Sequence, residues 1–330
     1  KDFITPRQEV VYTCKEGENH YKTSFAIFGF QYVLVETDAA FQPEDFTAVA
    51  VYSDMERTGF FESSNALLDK FVENTVWSAK NNHADLPTDC PTRERHGWTG
   101  DAQIFFNTAA YLFDYAPLAR KYMRDVYDWQ KKDGKLPQIA PCGGVDFYMD
   151  TLNGSVGWAD AGVLIPYRFW KLFGDDSLLR KHYDGMVRYA RFMIGRCGKF
   201  TPLRHHLPLK GKAKKYVVNY GQSYGEWAEP ADVCPNGWTN MVFPHPEEST
   251  AYTAFIMGHV AEIADYLGKP KDKALFAEYR DGCKEAYRQL ITLPGYELDT
   301  DRQAKLVRPL YMHLLDEKQE AYAKHRLVQA

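Results

Sequence analysis

From residue 62 onward, apolar residues recur every three or four positions, the spacing of one face of an α-helix. Leu67, Leu68, Phe71, Val72, Val76 and Ala79 form the first stripe, with Ser63 or Ser64 placed to cap it. A second begins near Asp101 and carries Ile104, Phe105, Thr108, Ala109 and Leu112. Pro117 opens a third, where a missing N–H costs nothing, and Leu118, Tyr122, Val126 and Trp129 continue it. A fourth covers 157–173 and stops at Gly174, and a fifth runs from Ser177 to about Arg196. The cleanest stripe is the sixth: Tyr252, Phe255, Ile256, His259, Val260, Ile263 and Leu267, closed by Gly268. Pro270 opens a seventh that reaches Leu290, and two more fall near 301–313 and 316–330. Residues 1–55 follow a different rule. Phe25 to Phe28, Tyr32 to Val35 and Ala48 to Tyr52 are short β-rich runs between turn residues. They predict the C-terminal part of a β-sandwich domain over 1–55, followed by a helical domain over 56–330.

The connections carry more information than the helices. Those near 115–116, 174–176, 268–269 and 314–315 are short, and those near 83–100, 133–156, 197–246 and 292–300 are longer. Short and long alternate strictly. Helices that turn back at alternate ends put every long connection on one rim, which is the pattern of an (α/α)6 toroid with a functional face of loops. The rival αα-solenoid needs a fixed repeat, and none is present. Nine helices do not close a ring of hairpins, and the last stripe reaches the terminus without a stop signal. The expectation is a barrel that lacks its last helices, cut from a longer polypeptide.

Composition narrows the class. Of 330 residues, 45% are apolar and 25% charged, the balance of a globular chain. A net charge of −4 gives no electrostatic pull toward nucleic acid, and no apolar run reaches the roughly 18 residues of a membrane span. Neither partner is therefore expected, and the compartment and oligomeric state stay open. Aromatic residues, at 15%, are the excess, and such rings fill cores and stack on sugar faces. Cys14, Cys90, Cys142, Cys197, Cys234 and Cys283 are scattered without a C-x-x-C pair, which predicts mostly free thiols and no zinc site. His205, His206 and His245 form no recognisable ligand set, and His259 on its apolar stripe reads as a core histidine. The run Lys210 to Lys215 reads as an exposed loop. No cofactor is implied.

Polar chemistry concentrates between Asp85 and Asp101. Asp85, Asp89, Glu94 and Asp101 share that loop with Arg93, Arg95, His96 and Trp98, and with prolines and glycines that fix the backbone. Asp101 stands at a helix start, where the positive end of the dipole favours the ionised form. Arg93 precedes Glu94, where a guanidinium can organise carboxylates and bind hydroxyls. The run Asp89-Cys90-Pro91-Thr92-Arg93-Glu94-Arg95, then Gly97-Trp98-Thr99-Gly100-Asp101-Ala102-Gln103, resembles the signature of glycoside hydrolase family 78, the α-L-rhamnosidases. The resemblance continues through Phe28-Gly29-Phe30-Gln31-Tyr32-Val33, Gly157-Trp158-Ala159-Asp160-Ala161 and Phe173-Gly174-Asp175, and so spans most of the chain. It departs at His96, where the family more often has an apolar residue.

This resemblance implies an (α/α)6 barrel after β-sandwich domains and an inverting hydrolase that releases terminal rhamnose from glycosides or polysaccharides. By position, Glu94 matches the general acid. Asp89 and Asp101 match carboxylates that bind the rhamnose, and Arg93 and Trp98 match residues lining its pocket. Trp158 matches an aromatic wall, and Trp227, in Gly225-Glu226-Trp227, is carried over as a second. Asp160 reads either as a pocket residue or as the cap of the fourth helix. Inversion needs a second carboxylate as base, roughly 6.5–9.5 Å from the acid. The resemblance puts it in a later region, expected beyond Ala330, with Glu226 and Glu229 as in-chain substitutes. Two other readings compete. One is a carbohydrate-binding barrel without catalysis. The other is acyl transfer through Ser223, since Gly221-Gln222-Ser223-Tyr224-Gly225 matches a nucleophile elbow; Pro230 and Pro235 soon follow where that elbow needs a helix.

Overall fold

A computed structural model describes residues 7–143, 153–200, 207–226 and 243–330. The chain divides into two compact units, Lys1–Tyr122 and Met123–Ala330.

In the first unit, residues 7–55 run extended and largely exposed. Phe25, Tyr32 and Leu34 face solvent almost completely. A single-turn 3-10 helix, Pro43–Asp45, interrupts them. Among the described residues these segments form no strand ladder with one another. A strand is stable only when its backbone groups find partners. The sandwich assignment for 1–55 therefore stays a proposal. Pairing with the helical region begins at Ser53, which donates to the His83 carbonyl at 2.6 Å; Thr58 and Gly59 both donate to the Leu112 carbonyl at 3.0 Å, and Asp114 donates to Glu56. Helix α1 (Ala66–Asn81) is capped by Asn65, whose side chain accepts from the Leu67 N–H, rather than by Ser63 or Ser64. The Ser63 hydroxyl is instead spent on Asp69. A two-residue hairpin follows, β1 (His83–Ala84) against β2 (Leu86–Pro87). Buried His83 links the end of α1 to the Tyr115 hydroxyl at 3.0 Å. Helix α2 (Thr99–Leu112) starts at Trp98, and α3 (Ala116–Asp128) follows with Pro117 in its first turn.

In the second unit, α4 (Ala161–Phe173) ends on Gly174 in the left-handed conformation, as its position predicts. Helix α5 (Ser177–Ile194) buries Leu178, Leu179, Met186, Tyr189 and Met193. A short α6 (Ala213–Tyr216) has no counterpart in the apolar periodicity. Helices α7 (Pro246–Tyr266) and α8 (Pro270–Leu290) pack along each other, and α4 and α5 pack against α7. Then α9 (Gln303–Tyr311) and α10 (Glu317–Gln329) close on a core that includes Cys283, Tyr287, Leu290, Leu306 and Leu314. Pro166 lies inside α4, so the Gly162 carbonyl loses its intrahelical donor. The Tyr127 hydroxyl replaces that donor at 2.6 Å, while its ring stacks on His182.

Candidate active site

The loop between β2 and α2 is closed by its own polar groups. Asp89 donates its N–H to the His96 carbonyl at 3.0 Å, and its Oδ1 accepts the His96 N–H at 2.9 Å. Inside that ring the Glu94 N–H points to the Cys90 sulfur at 3.2 Å. Arg95 sits at φ +56°, a left-handed conformation costly for a side chain of that kind. Its guanidinium reaches back to the Ile27 carbonyl at 3.0 Å. The loop's exit is fixed by the Tyr122 hydroxyl on the Gly97 carbonyl at 3.0 Å. The segment carrying Gly29 lies directly on this loop. A Cβ at Gly29 would come within 2.5 Å of Thr92 and 2.8 Å of the Pro91 carbonyl oxygen. Two stretches far apart in sequence thus touch where only glycine fits.

This frame brings Asp89, Glu94, Trp98 and Asp101 together, with Arg93 exposed on the same loop. The Trp98 indole N–H donates to Glu94 Oε2 at 2.8 Å. An N–H donor needs an acceptor oxygen, so the proton of a neutral Glu94 belongs on Oε1. Asp101 meets opposing influences. Its place in the first turn of α2 favours the anion, and its own backbone N–H helps. Desolvation outweighs both, and the negative charges of Asp89 and Glu94 add to it, pushing its pKa up to about 6. Asp101 keeps an open edge to solvent, where water screens the charges of its neighbours.

The second unit holds a separate polar cluster. Trp158, half-buried, packs against Tyr224 with ring centroids 4.3 Å apart. Asp160 is fully buried at the head of α4 but makes no cap. Its two oxygens accept from the Gly157 N–H at 2.6 Å and the Tyr189 hydroxyl at 2.7 Å. Burial pushes its pKa up to about 6 against those bonds. Asp160 thus holds the turn that carries Trp158. Arg196 is also buried, and its guanidinium donates to the carbonyls of Gly154, Tyr220 and Gln222 at 3.0, 2.9 and 2.8 Å. Sequence reasoning missed Arg196 and Glu248. Each stands in or beside a helix as an ordinary surface charge would, and only the fold shows the burial.

Ser223 is fully buried, its hydroxyl engaged by Glu248, and residues 217–226 form no strand-turn-helix, so the nucleophile-elbow geometry is absent. Glu226 is paired with Arg308. Trp227 and Glu229, like Cys234, His205 and His206, lie outside the described residues. The other five cysteines are free thiols. Among the described residues, no group of His, Cys, Asp and Glu is arranged to hold a metal, and no helix is long and apolar enough to cross a membrane.

Residues 56–330 match the family described as the bacterial alpha-L-rhamnosidase 6 hairpin glycosidase domain. An alpha-L-rhamnosidase of Formosa agariphila is 29% identical over 323 residues, covering 96% of this chain and 32% of that protein. One from Streptomyces avermitilis is 28% identical over 321 residues, covering 96% and 28%. The crystal structure of a Streptomyces avermitilis alpha-L-rhamnosidase complexed with L-rhamnose superposes with a TM-score of 0.66 at 27% identity, covering 84% of this chain and 24% of that one. The native enzyme from Aspergillus terreus gives 0.67 at 29%, covering 88% and 32%. The mainly helical fold is that of the six-hairpin (α/α) toroid. The chain spans about a third or less of the length of these relatives.

Proposed function

Because this chain belongs to the bacterial alpha-L-rhamnosidase six-hairpin glycosidase family, we propose that it is the catalytic region of an inverting glycoside hydrolase that releases terminal α-L-rhamnose. The observation that carries this reading is the Trp98 N–H on Glu94 Oε2 at 2.8 Å, inside a loop that also gathers Asp89 and Asp101. Cleavage through an oxocarbenium-like transition state needs a proton delivered to the departing oxygen. Glu94 is the proposed donor, with Oε2 held by Trp98 and the proton on Oε1. Asp89, Arg93 and Asp101 are proposed to bind the sugar hydroxyls. Carboxylates suit that task because each accepts from two neighbouring hydroxyls, and the guanidinium supplies the complementary donors. Trp98 is proposed as a stacking surface. Trp158 is proposed as another rhamnose-stacking residue on the strength of its motif. Asp160, with both oxygens occupied, acts by holding the Trp158 turn. The base that activates water is not assigned to Glu226, whose carboxylate is engaged by Arg308.

The test is nitrophenol release from an aryl α-L-rhamnoside by this chain and by Glu94→Gln, alongside a titration of L-rhamnose. Glutamine keeps an acceptor for Trp98 but has no proton to give. Expected is a loss of ~10²–10⁴-fold in turnover, the usual share of general acid catalysis, with rhamnose affinity kept. Equal and measurable turnover by the two proteins would exclude Glu94 as the acid. Absence of rhamnose binding would remove the sugar reading itself.

A further inference from the structure

Tyr224 is the ring partner of Trp158, and the residues on both sides of Tyr224 are held by one carboxylate. Glu248 lies in the first turn of α7 and is only 7% exposed. Its Oε2 accepts the Gly225 N–H at 2.8 Å, and its side chain also takes the hydroxyl of Ser223. Ser223 Oγ in turn accepts the His245 N–H at 3.3 Å. Gly225 adopts φ +62°, and a Cβ there would come within 2.5 Å of the His245 ring. The tripeptide is therefore pinned at its first and last residues, and Tyr224 between them is 7% exposed.

A glutamate in a first turn is favourable at the surface, where it meets the positive end of the helix dipole and water. Burying it forfeits the water. A leucine at this position would fill space without that cost, but it could not hold residues 223 and 225. The burial is explained by what the two bonds achieve. We propose that Glu248 is a positioning residue whose carboxylate clamps Ser223 and Gly225, and so sets the Tyr224 ring against Trp158, the stacking surface for the sugar. The link to the sugar rests on the rhamnosidase reading; the clamp does not.

The clamp carries its own pH signature. Burial, with the nearby charges of Asp160 and Glu247, pushes Glu248 up to about 7, against the two bonds that favour its anion. Among the described residues Arg196 and Tyr252 also face it, and the His245 ring lies against Gly225. Protonation turns one acceptor oxygen into a donor, so the grip on the tripeptide weakens below neutral pH.

The experiment uses the 330-residue chain labelled with 5-fluorotryptophan, with Trp158→Phe to identify the Trp158 resonance. In the wild type that resonance should move with pH around a midpoint near 7, the value to which Glu248 is raised. Glu248→Gln, which keeps an oxygen for the Gly225 N–H, should remove the movement with a midpoint near 7 and leave only the response to Asp160, whose pKa lies near 6. Glu248→Leu should displace it and weaken L-rhamnose binding ~10-fold, about 1.4 kcal/mol. Should the leucine variant not fold by circular dichroism, the glutamine variant carries the test alone. A Trp158 resonance that coincides with wild type in the folded variants at every pH would overturn the clamp. The sugar reading fails separately: if L-rhamnose moves no tryptophan resonance while the Glu248 variants move Trp158, the clamp stands and the rhamnose pocket falls.

Discussion

A single methyl group tests how the signature loop is held. Gly29 matters for its lack of bulk: a Cβ would press on the Pro91 carbonyl oxygen at 2.8 Å, a backbone atom that cannot swing away. Relief comes from shifting the Gly29 segment or the turn that carries Glu94, and either loosens their fit. Displacements of about 1 Å from outside the chemistry cost up to ~10²-fold in rate. Gly29→Ala should therefore lower turnover ~10-fold or more with the helical circular dichroism unchanged. Gly143→Ala, with nothing within 4 Å of the added carbon, is the control. Equal rates for the two variants would mean that the Gly29 contact does not fix the loop. Residue-level reading of the sequence singled out Glu94, Trp98 and Asp101 because the signature is long, and the fold brings them together. The upward push on the Asp101 pKa, chiefly desolvation with smaller additions from Asp89 and Glu94, was not legible, since a helix start is local and visible whereas burial exists only after folding.

At the scale of elements, α4 carries a proline in its interior and still forms. A lost intrahelical bond leaves a buried carbonyl, and such a group unsatisfied costs roughly 1–3 kcal/mol. The Tyr127 hydroxyl meets the Gly162 carbonyl and removes that cost. Tyr127→Phe keeps the ring on His182 and deletes only the hydroxyl. It should lower stability in urea by ~1–3 kcal/mol; an unmoved midpoint would show that water replaces the hydroxyl. The helices themselves were largely legible. Gly174, Gly268 and Pro270 are local signals, and the observed ends fall on or next to them. The fourth helix begins at Ala161 rather than 157, because Gly157 at φ +80° and the Asp160 bonds hold a turn there. The cap of α1 was ambiguous among neighbouring polar residues, and Asn65 won once Ser63 turned to Asp69. For the β-rich runs of 1–55 the sandwich assignment remains a proposal. Strand propensity needs a partner segment, and propensity alone does not supply one.

Across the whole molecule, two sets of buried groups oppose each other in pH. Asp160 and Glu248 have pKa values raised to about 6 and about 7, so the stability they contribute is complete below their unfolded values and is lost as pH rises to 7. Each shift corresponds to roughly 3 kcal/mol. His182 and His259 are pushed down to about 4 by burial, so their contribution is present above the unfolded 6.5 and is lost as pH falls toward 4. The wild-type stability curve should be shallow between pH 5 and 7. His259→Phe, with aromatic neighbours Tyr167 and Phe255 to receive the ring, should tilt it downward with rising pH. Glu248→Gln should tilt it the other way. Denaturant titrations at several pH values decide this, and curves parallel to wild type for both variants would refute it. The guanidinium of Arg196 has a consequence of another kind. It satisfies three carbonyls drawn from two segments about 66 residues apart, at Gly154 and at Tyr220 with Gln222. An insertion or deletion in either segment withdraws an acceptor from the shared cation, and no change confined to the other segment restores it. The two stretches are therefore heritable as a pair: a grafted loop from a relative would need both pieces and the arginine together.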